Sequence, residues 1–199
     1  MNISQSKLAV CIITCLLFLP ALVSASDATN QLSATIDHFV PIITNTPRED
    51  LQLRGLPESA RKLILARFDF SEMTKRSLGW RWNSLSRGEQ KQFVDAFTQW
   101  QLTYYGKILL ASRGERLQVN RELQHGKDTS VQTQIISRYR DDLPIDYWLH
   151  NVHGQWKVYD MVIDDVDLVR NVHAQFERVI LKSSLNDLLQ RLKEQSRVS

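Results

Sequence analysis

The sequence predicts an α+β fold, an antiparallel sheet of about four strands wrapped by helices. Three observations carry that prediction. Residues 145–163 read as two strands joined by a tight turn, followed at once by a helix. The run that starts at Ser86 opens on a capping box and carries an aromatic stripe at helical spacing. The remaining strand-like segments lie together after residue 115, with helix-like segments before and after the whole group.

The first 25 residues read as a targeting signal. Lys7 gives a small positive start, residues 8–22 are apolar apart from Thr14 and Pro20, and Val23-Ser24-Ala25 has the small residues of a cleavage site. The apolar run is short, and Pro20 breaks it, so it makes a poor membrane span. Both cysteines, Cys11 and Cys15, fall inside it. The exported chain would carry no thiol, which excludes a disulfide scaffold and a Cys-ligated metal. Removing 25 of the 199 residues leaves 174, enough for one domain with a full core over residues 26–199. The whole chain has 25 basic and 22 acidic residues, and loss of Lys7 leaves 24 against 22. That near-neutral balance, with export, argues against a nucleic-acid partner.

Residues 26–31 are polar, and 32–40 read as a short helix that Pro41 ends or kinks. Asn45-Thr46-Pro47 and Gly55-Leu56-Pro57 mark loops. Pro57 suits the first turn of a helix over 58–68, and 69–78 reads as another, closed by Gly79. The capping box Ser86-Arg87-Gly88-Glu89 opens a helix expected to reach about residue 110. Phe93, Phe97, Trp100, Tyr104 and Ile108 share one stripe of it. The simplest use of that stripe is packing on the sheet. It can also be core at one end and pocket wall at the other.

Residues 116–123 and 129–140 read as strands around a turn at His125-Gly126-Lys127-Asp128, and Asp141-Asp142-Leu143-Pro144 forms the next turn. In the third strand Ile145, Tyr147 and Leu149 share a face. Asn151-Val152-His153-Gly154 turns the chain into a return strand over 155–164. Simple alternation there sends Trp156, Val158 and Val162 one way and Tyr159, Met161 and Ile163 the other. A strand apolar on both faces needs cover on both, from helices, a partner or an apolar ligand. Asp167 and Ser184 are placed to cap two closing helices, to about residues 182 and 194.

The ordered residues also resemble a known family. Phe68-Asp69-Phe70, Met73, Leu78-Gly79, Trp82, Phe93, Phe97 and Thr103-Tyr104 form one block. Asp146-Tyr147-Trp148-Leu149, Gly154, Trp156-Lys157-Val158-Tyr159-Asp160, Ile163, Val166, Leu168-Val169, Asn171 and Gln175-Phe176 form a second. Together they resemble the MlaC, or toluene-tolerance, family of periplasmic phospholipid-binding proteins. The chain departs from that pattern at Asp165, where the family often has Gly, and at Val172-His173 after the Asn.

The resemblance implies an NTF2-like curved sheet with helices closing an apolar cavity filled by phospholipid acyl chains. It implies a carrier in the periplasm of a Gram-negative bacterium, without enzymatic activity or cofactor. The implied partners are an inner-membrane MCE/ABC transporter complex and an outer-membrane lipoprotein–porin complex, with a hopanoid-associated sister branch as an alternative ligand class. A monomer is expected. Motif positions nominate Phe97, Tyr104, Tyr147, Val158 and Met161 as lipid-binding residues, and strand alternation adds Trp148 and Ile163. The sequence leaves open which parity faces the cavity, because register decides it.

Other chemistry finds less support. His150 and His153 sit at a strand end and a turn with no Cys or clustered carboxylate beside them, so no metal is expected. No Gly-x-Ser-x-Gly elbow occurs. Asp160, inside an apolar strand, suits either a base of raised pKa in an isomerase-like enzyme or a hydrogen-bonded carboxylate. Arg61, Lys62, Lys75, Arg76, Arg81, Arg87 and Arg113 read as a solvated surface or as a steering patch for anionic membranes and acidic partners. A periplasmic adaptor whose strand is covered by protein alone is a third reading.

Overall fold

The computed structural model describes residues 26–111, 116–137 and 141–196. The expected targeting segment, Arg113, the side chain of Ile108 and the far end of the second strand lie outside the described residues.

Four helices come first: α1 (Asp27–Asn45), α2 (Arg48–Arg54), α3 (Glu58–Arg67) and α4 (Phe70–Leu78). A 3-10 turn (Gly79–Ser84) leads to the long α5 (Arg87–Ala111). The strands β1 (Arg116–His125), β2 (Asp128–Ile136), β3 (Leu143–Val152) and β4 (Gln155–Ile163) follow as an antiparallel meander. A two-residue β5 (Val166–Asp167) makes five strands where about four were expected, and α6 (Leu168–Lys182) and α7 (Leu185–Gln195) close the chain.

The expected caps form. The side chains of Asp69, Asp167 and Ser184 accept from the backbone N–H groups of Glu72, Arg170 and Asp187 at 2.9, 2.7 and 3.0 Å. Ser86 and Glu89 close the box that starts α5, with the Ser86 N–H donating to Glu89 Oε2 at 2.8 Å. Gly79 ends α4 at φ 58°, and a Cβ there would sit 3.0 Å from the His173 ring, so both backbone and space require glycine.

Three expectations need correction. Helix α1 starts at Asp27 rather than residue 32, because Ser26 caps it by accepting from the Ala28 N–H at 3.1 Å. Pro41 does not end it, and the helix runs on to Asn45. Pro41 is exposed, so water reaches the carbonyl its ring leaves unbonded, while Ile43 beyond it is buried among the helices. Between the expected loops at 45–47 and 55–57 the chain, unassigned from the sequence, forms α2, which anchors on buried Leu51. The stripe on α5 also differs from the simplest expectation, since this helix packs chiefly on α4, α7 and α2, while α1 lies on β1, β2 and β4.

Helix α1 is fastened to its neighbours by polar groups. Ser26 Oγ donates to Glu122 Oε2 at 2.5 Å, and the Thr29 hydroxyl donates to the same carboxylate oxygen. Arg67, at the end of α3, donates to Thr35 Oγ1 at 2.9 Å, to Gln31 Oε1 at 3.0 Å and to the Trp156 carbonyl. One guanidinium therefore ties α1 and α3 to β4, at the cost of a burial that pulls its pKa below the usual arginine value.

Candidate functional site

The two faces of the sheet follow from its register. Val131, Tyr147 and Met161 are cross-strand neighbours, as are Thr133, Ile145 and Ile163. Thr129, Leu149 and Val158 form a third row. Between Leu149–Val158 and Trp148–Asp160 the pairing shifts by one residue, leaving Tyr159 as the extra residue of a bulge. That shift overturns simple alternation in β4. Val158 and Met161 were expected on opposite faces and fall on the same one. Trp156, Val158, Met161 and Ile163 are thus one apolar series on the inner face, interrupted by a bulge, and not a strand apolar on both faces.

Four of the seven nominated residues meet there: Tyr147, Val158, Met161 and Ile163. Leu32 of α1 packs onto them with Val131 and Leu149, ringed by half-buried Ile36, Phe68, Val119, Trp156 and Leu168. Burial pushes the Tyr147 phenol up to about 12, so it stays neutral in this setting.

The remaining three lie elsewhere. Trp148 is on the outer face by strand parity, its ring 4.6 Å from that of His125. Phe97 is fully buried in the helical core, edge-on to Phe176 at 6.2 Å. Tyr104, two turns further along α5, is 49% exposed and stacks on Trp100 at 6.3 Å. Between them sits Gln101, only 1% exposed, whose Nε2 has no hydrogen-bond partner. Sequence reasoning passed over Gln101. Its signal was present, since a polar residue four positions after Phe97 falls inside the aromatic stripe.

Among the described residues most buried apolar side chains fall into a large cluster and a smaller one. One gathers α2 to α7 around Phe97, Met73, Leu78 and Phe176. The other is the inner face of the sheet with Leu32. Among the described residues, only the half-buried Phe68 and Leu168 pack against both.

The outer face is polar and internally bonded. Tyr159 turns to that side, donating to Asp128 Oδ2 at 3.2 Å, with the Arg76 guanidinium 4.0 Å from its ring centre. His150 Nε2 lies 3.0 Å from Asp69 Oδ2, and His153 occupies the β3–β4 turn at φ 51°. Among the described residues no three His, Cys, Asp or Glu side chains converge as a metal site. Asp160 Oδ1 accepts from the N–H groups of Met161 at 2.7 Å and Val169 at 3.1 Å, so it helps start α6. Burial pushes its pKa up to about 6, with the Val169 bond opposing and Asp167 adding to the rise. Several of the basic residues are paired within the chain: Arg76 with Glu72 at 2.9 Å, Arg61 with Glu58 at 3.8 Å, and Arg81 with Glu177.

A model of the MlaC protein family matches residues 34–194. The chain belongs to the MlaC family. A curated relative, the toluene tolerance protein ttg2D of Pseudomonas putida, is 24% identical over 101 residues. That match spans 50% of this MlaC chain and 46% of the relative, about half the length of each. A solved structure of a phospholipid-binding protein from Ralstonia solanacearum, in complex with a phospholipid, superposes with a TM-score of 0.76 at 24% identity. It covers 86% of this chain and 97% of that one, a likeness of fold.

Proposed function

We propose that this MlaC-family protein is a periplasmic phospholipid carrier that holds acyl chains between the inner face of its sheet and its helices, with no chemistry of its own. The observation that carries this reading is membership of the MlaC family, with the half-buried apolar side chains on the sheet's inner face, Tyr147 and Ile163 among them, as the candidate wall. Tyr147 typifies them. It keeps accessible surface, yet its phenol is desolvated strongly enough to titrate near 12. The phospholipid held by the similar fold from Ralstonia solanacearum points the same way.

The physics suits such a carrier. Burying a methylene is worth about 0.8 kcal/mol, so a ~16-carbon chain resists entering water by roughly 13 kcal/mol. Room for two chains needs a pocket near the top of the usual range of about 300–1,000 Å³. Tyr147, Val158, Met161 and Ile163 form the sheet wall, with Phe97 and Tyr104 on the helical side. Trp148, on the outer face, stands apart from this set. The headgroup stays in water at the mouth and is weakly selected there, because discrimination needs buried polar partners.

In this reading residues 1–25 are a cleaved export signal, and residues 26–199 work as a monomer in the periplasm. The carrier docks an inner-membrane MCE/ABC transporter complex, which supplies ATP-derived energy, and an outer-membrane lipoprotein–porin complex. Lipid extraction and mass spectrometry of the purified protein test the core claim. Stoichiometric phospholipid is expected. Protein that is lipid-free as isolated, and takes none up from vesicles, would leave the adaptor reading in its place.

A further inference from the structure

We propose that the outward face of the second half of α6, with Trp80 beside it, docks the protein on a membrane surface rich in anionic lipid. None of these side chains belongs to the lipid-binding set, so docking goes beyond the carrier reading and does not depend on it.

The 3-10 turn is fixed to α6 at three points. His173 Nδ1 lies 2.9 Å from the Ser77 carbonyl oxygen, Gly79 comes close to the His173 ring, and Arg81 pairs with Glu177. The Arg81 guanidinium also lies 4.5 Å from the centre of the Trp80 ring. Trp80 is therefore held against this helix, yet it stays 71% exposed. Leu181, one turn beyond Glu177, is 77% exposed. A lone exposed apolar residue is ordinary, but here two flank the same ion pair.

Cations complete the surface. Arg178 and Lys182 are exposed on the side of α6 away from buried Val172 and Phe176, and neither is joined to an acid among the described residues. Glu177 is the only acid in the sequence of α6, and Arg81 neutralises it. Other acids stand at the two ends: Asp164, Asp165 and Asp167 before the helix offset Arg170, and Asp187 lies in the first turn of α7. The positive surface is thus confined to the second half of α6.

These groups select the occupant. A tryptophan, an aliphatic side chain and two long cationic ones project from a convex face, which suits the interfacial layer of a bilayer. The apolar groups enter the acyl boundary while the cations meet lipid phosphates. A second copy docked patch to patch would set arginine and lysine against their own kind.

The test sediments the purified protein with phosphatidylcholine vesicles, with and without phosphatidylglycerol, at physiological salt. Lipid taken into the protein is read separately by extraction and mass spectrometry, so docking and carriage can fail independently. Binding to the anionic vesicles alone is expected. Each cation near such a surface is worth about a fivefold change in affinity, so Arg178→Gln with Lys182→Gln should weaken binding roughly 30-fold. Arg48→Gln with Arg121→Gln removes the same charge from exposed positions on α2 and β1. That pair should change binding by less than about threefold, because charges more than about 8 Å from the surface are screened. Trp80→Ser should weaken binding and leave its salt dependence unchanged. Equal weakening by the two charge pairs overturns the patch in favour of net charge. Equal binding to neutral vesicles, or parental binding by Trp80→Ser, overturns it too. Sedimentation with neither vesicle overturns membrane docking and leaves the patch to an acidic protein surface.

Discussion

Asp160 shows how a residue that invites a catalytic reading is used by the fold. Its Oδ1 receives two backbone N–H groups, one from its own strand and one from the first turn of α6. Those bonds favour the carboxylate, yet burial outweighs them and holds the folded pKa at about 6. An unfolded aspartate titrates near 4, so between about pH 4 and 6 the folded chain keeps a proton that the unfolded chain has released. The contribution of Asp160 to stability must therefore fall as pH rises through that window, and this group adds no further change above it. Asp160→Asn keeps an oxygen acceptor at Oδ1 and removes the titration. Urea unfolding at pH 4, 5, 6 and 7 should show a flatter profile for the variant than for the parent. An equal slope in both would assign the titration to another group.

Among the elements, those with a local chemical signature were legible in the sequence. Asp69, Ser86, Asp167 and Ser184 begin helices because each places an oxygen over orphan N–H groups, a requirement that can be read residue by residue. The strand pairs around His125-Gly126 and His153-Gly154 were legible for the same reason, since both turns use positive φ at Gly126 and Gly154. The continuation of α1 past Pro41 was not, because it depends on where Ile43 packs. The face of β4 was not, because a bulge has no composition of its own. The inner wall was thus legible as a list of residue types and illegible as a surface until Tyr159 was found to be the extra residue. Two variants separate the bulge from its side chain. Tyr159→Phe loses only the bond to Asp128, and should lower stability by about 1 kcal/mol. Deleting Tyr159 removes the extra residue, restores strict alternation and leaves Val158, Met161 and Ile163 together on the inner face with their pairings unchanged. It should keep a cooperative thermal transition by near-UV circular dichroism, at a Tm lowered only by the loss of the Tyr159 side chain. Loss of the cooperative transition on deletion would mean that Tyr159 is not the extra residue and that the inner-face register differs.

At the scale of the whole molecule, α1 contributes buried residues to both apolar groups. Leu32 packs on the sheet, Ile43 packs among the helices, and Ser26, Thr29 and the Gln31–Thr35–Arg67 cluster fix the helix to β1, β4 and α3. The polar fastenings hold the frame beside the apolar interior. On the carrier reading proposed above, the frame folds without ligand but is not at its most stable, because the half-buried apolar side chains of the inner face gain cover when acyl chains bind. An occupant that binds only the folded state must then stabilise it. At a free lipid concentration about 100-fold above the dissociation constant that gain is about 2.7 kcal/mol. In a domain of this size it raises Tm by roughly 5–10 °C at about 2–4 °C per kcal/mol. Ile163, half-buried at the edge of the inner face, is the place to remove the need for an occupant. Ile163→Trp should fill the proposed acyl-chain space with protein, keep the fold, and erase most of the lipid-dependent rise in Tm. The delipidated variant should melt no lower than the delipidated parent, because a ring that occupies vacant space buries apolar area without displacing neighbours. A variant that melts well below the parent would mean that the ring had been forced into a core already full. A full rise in Tm on adding lipid would place the acyl chains away from this face of the sheet.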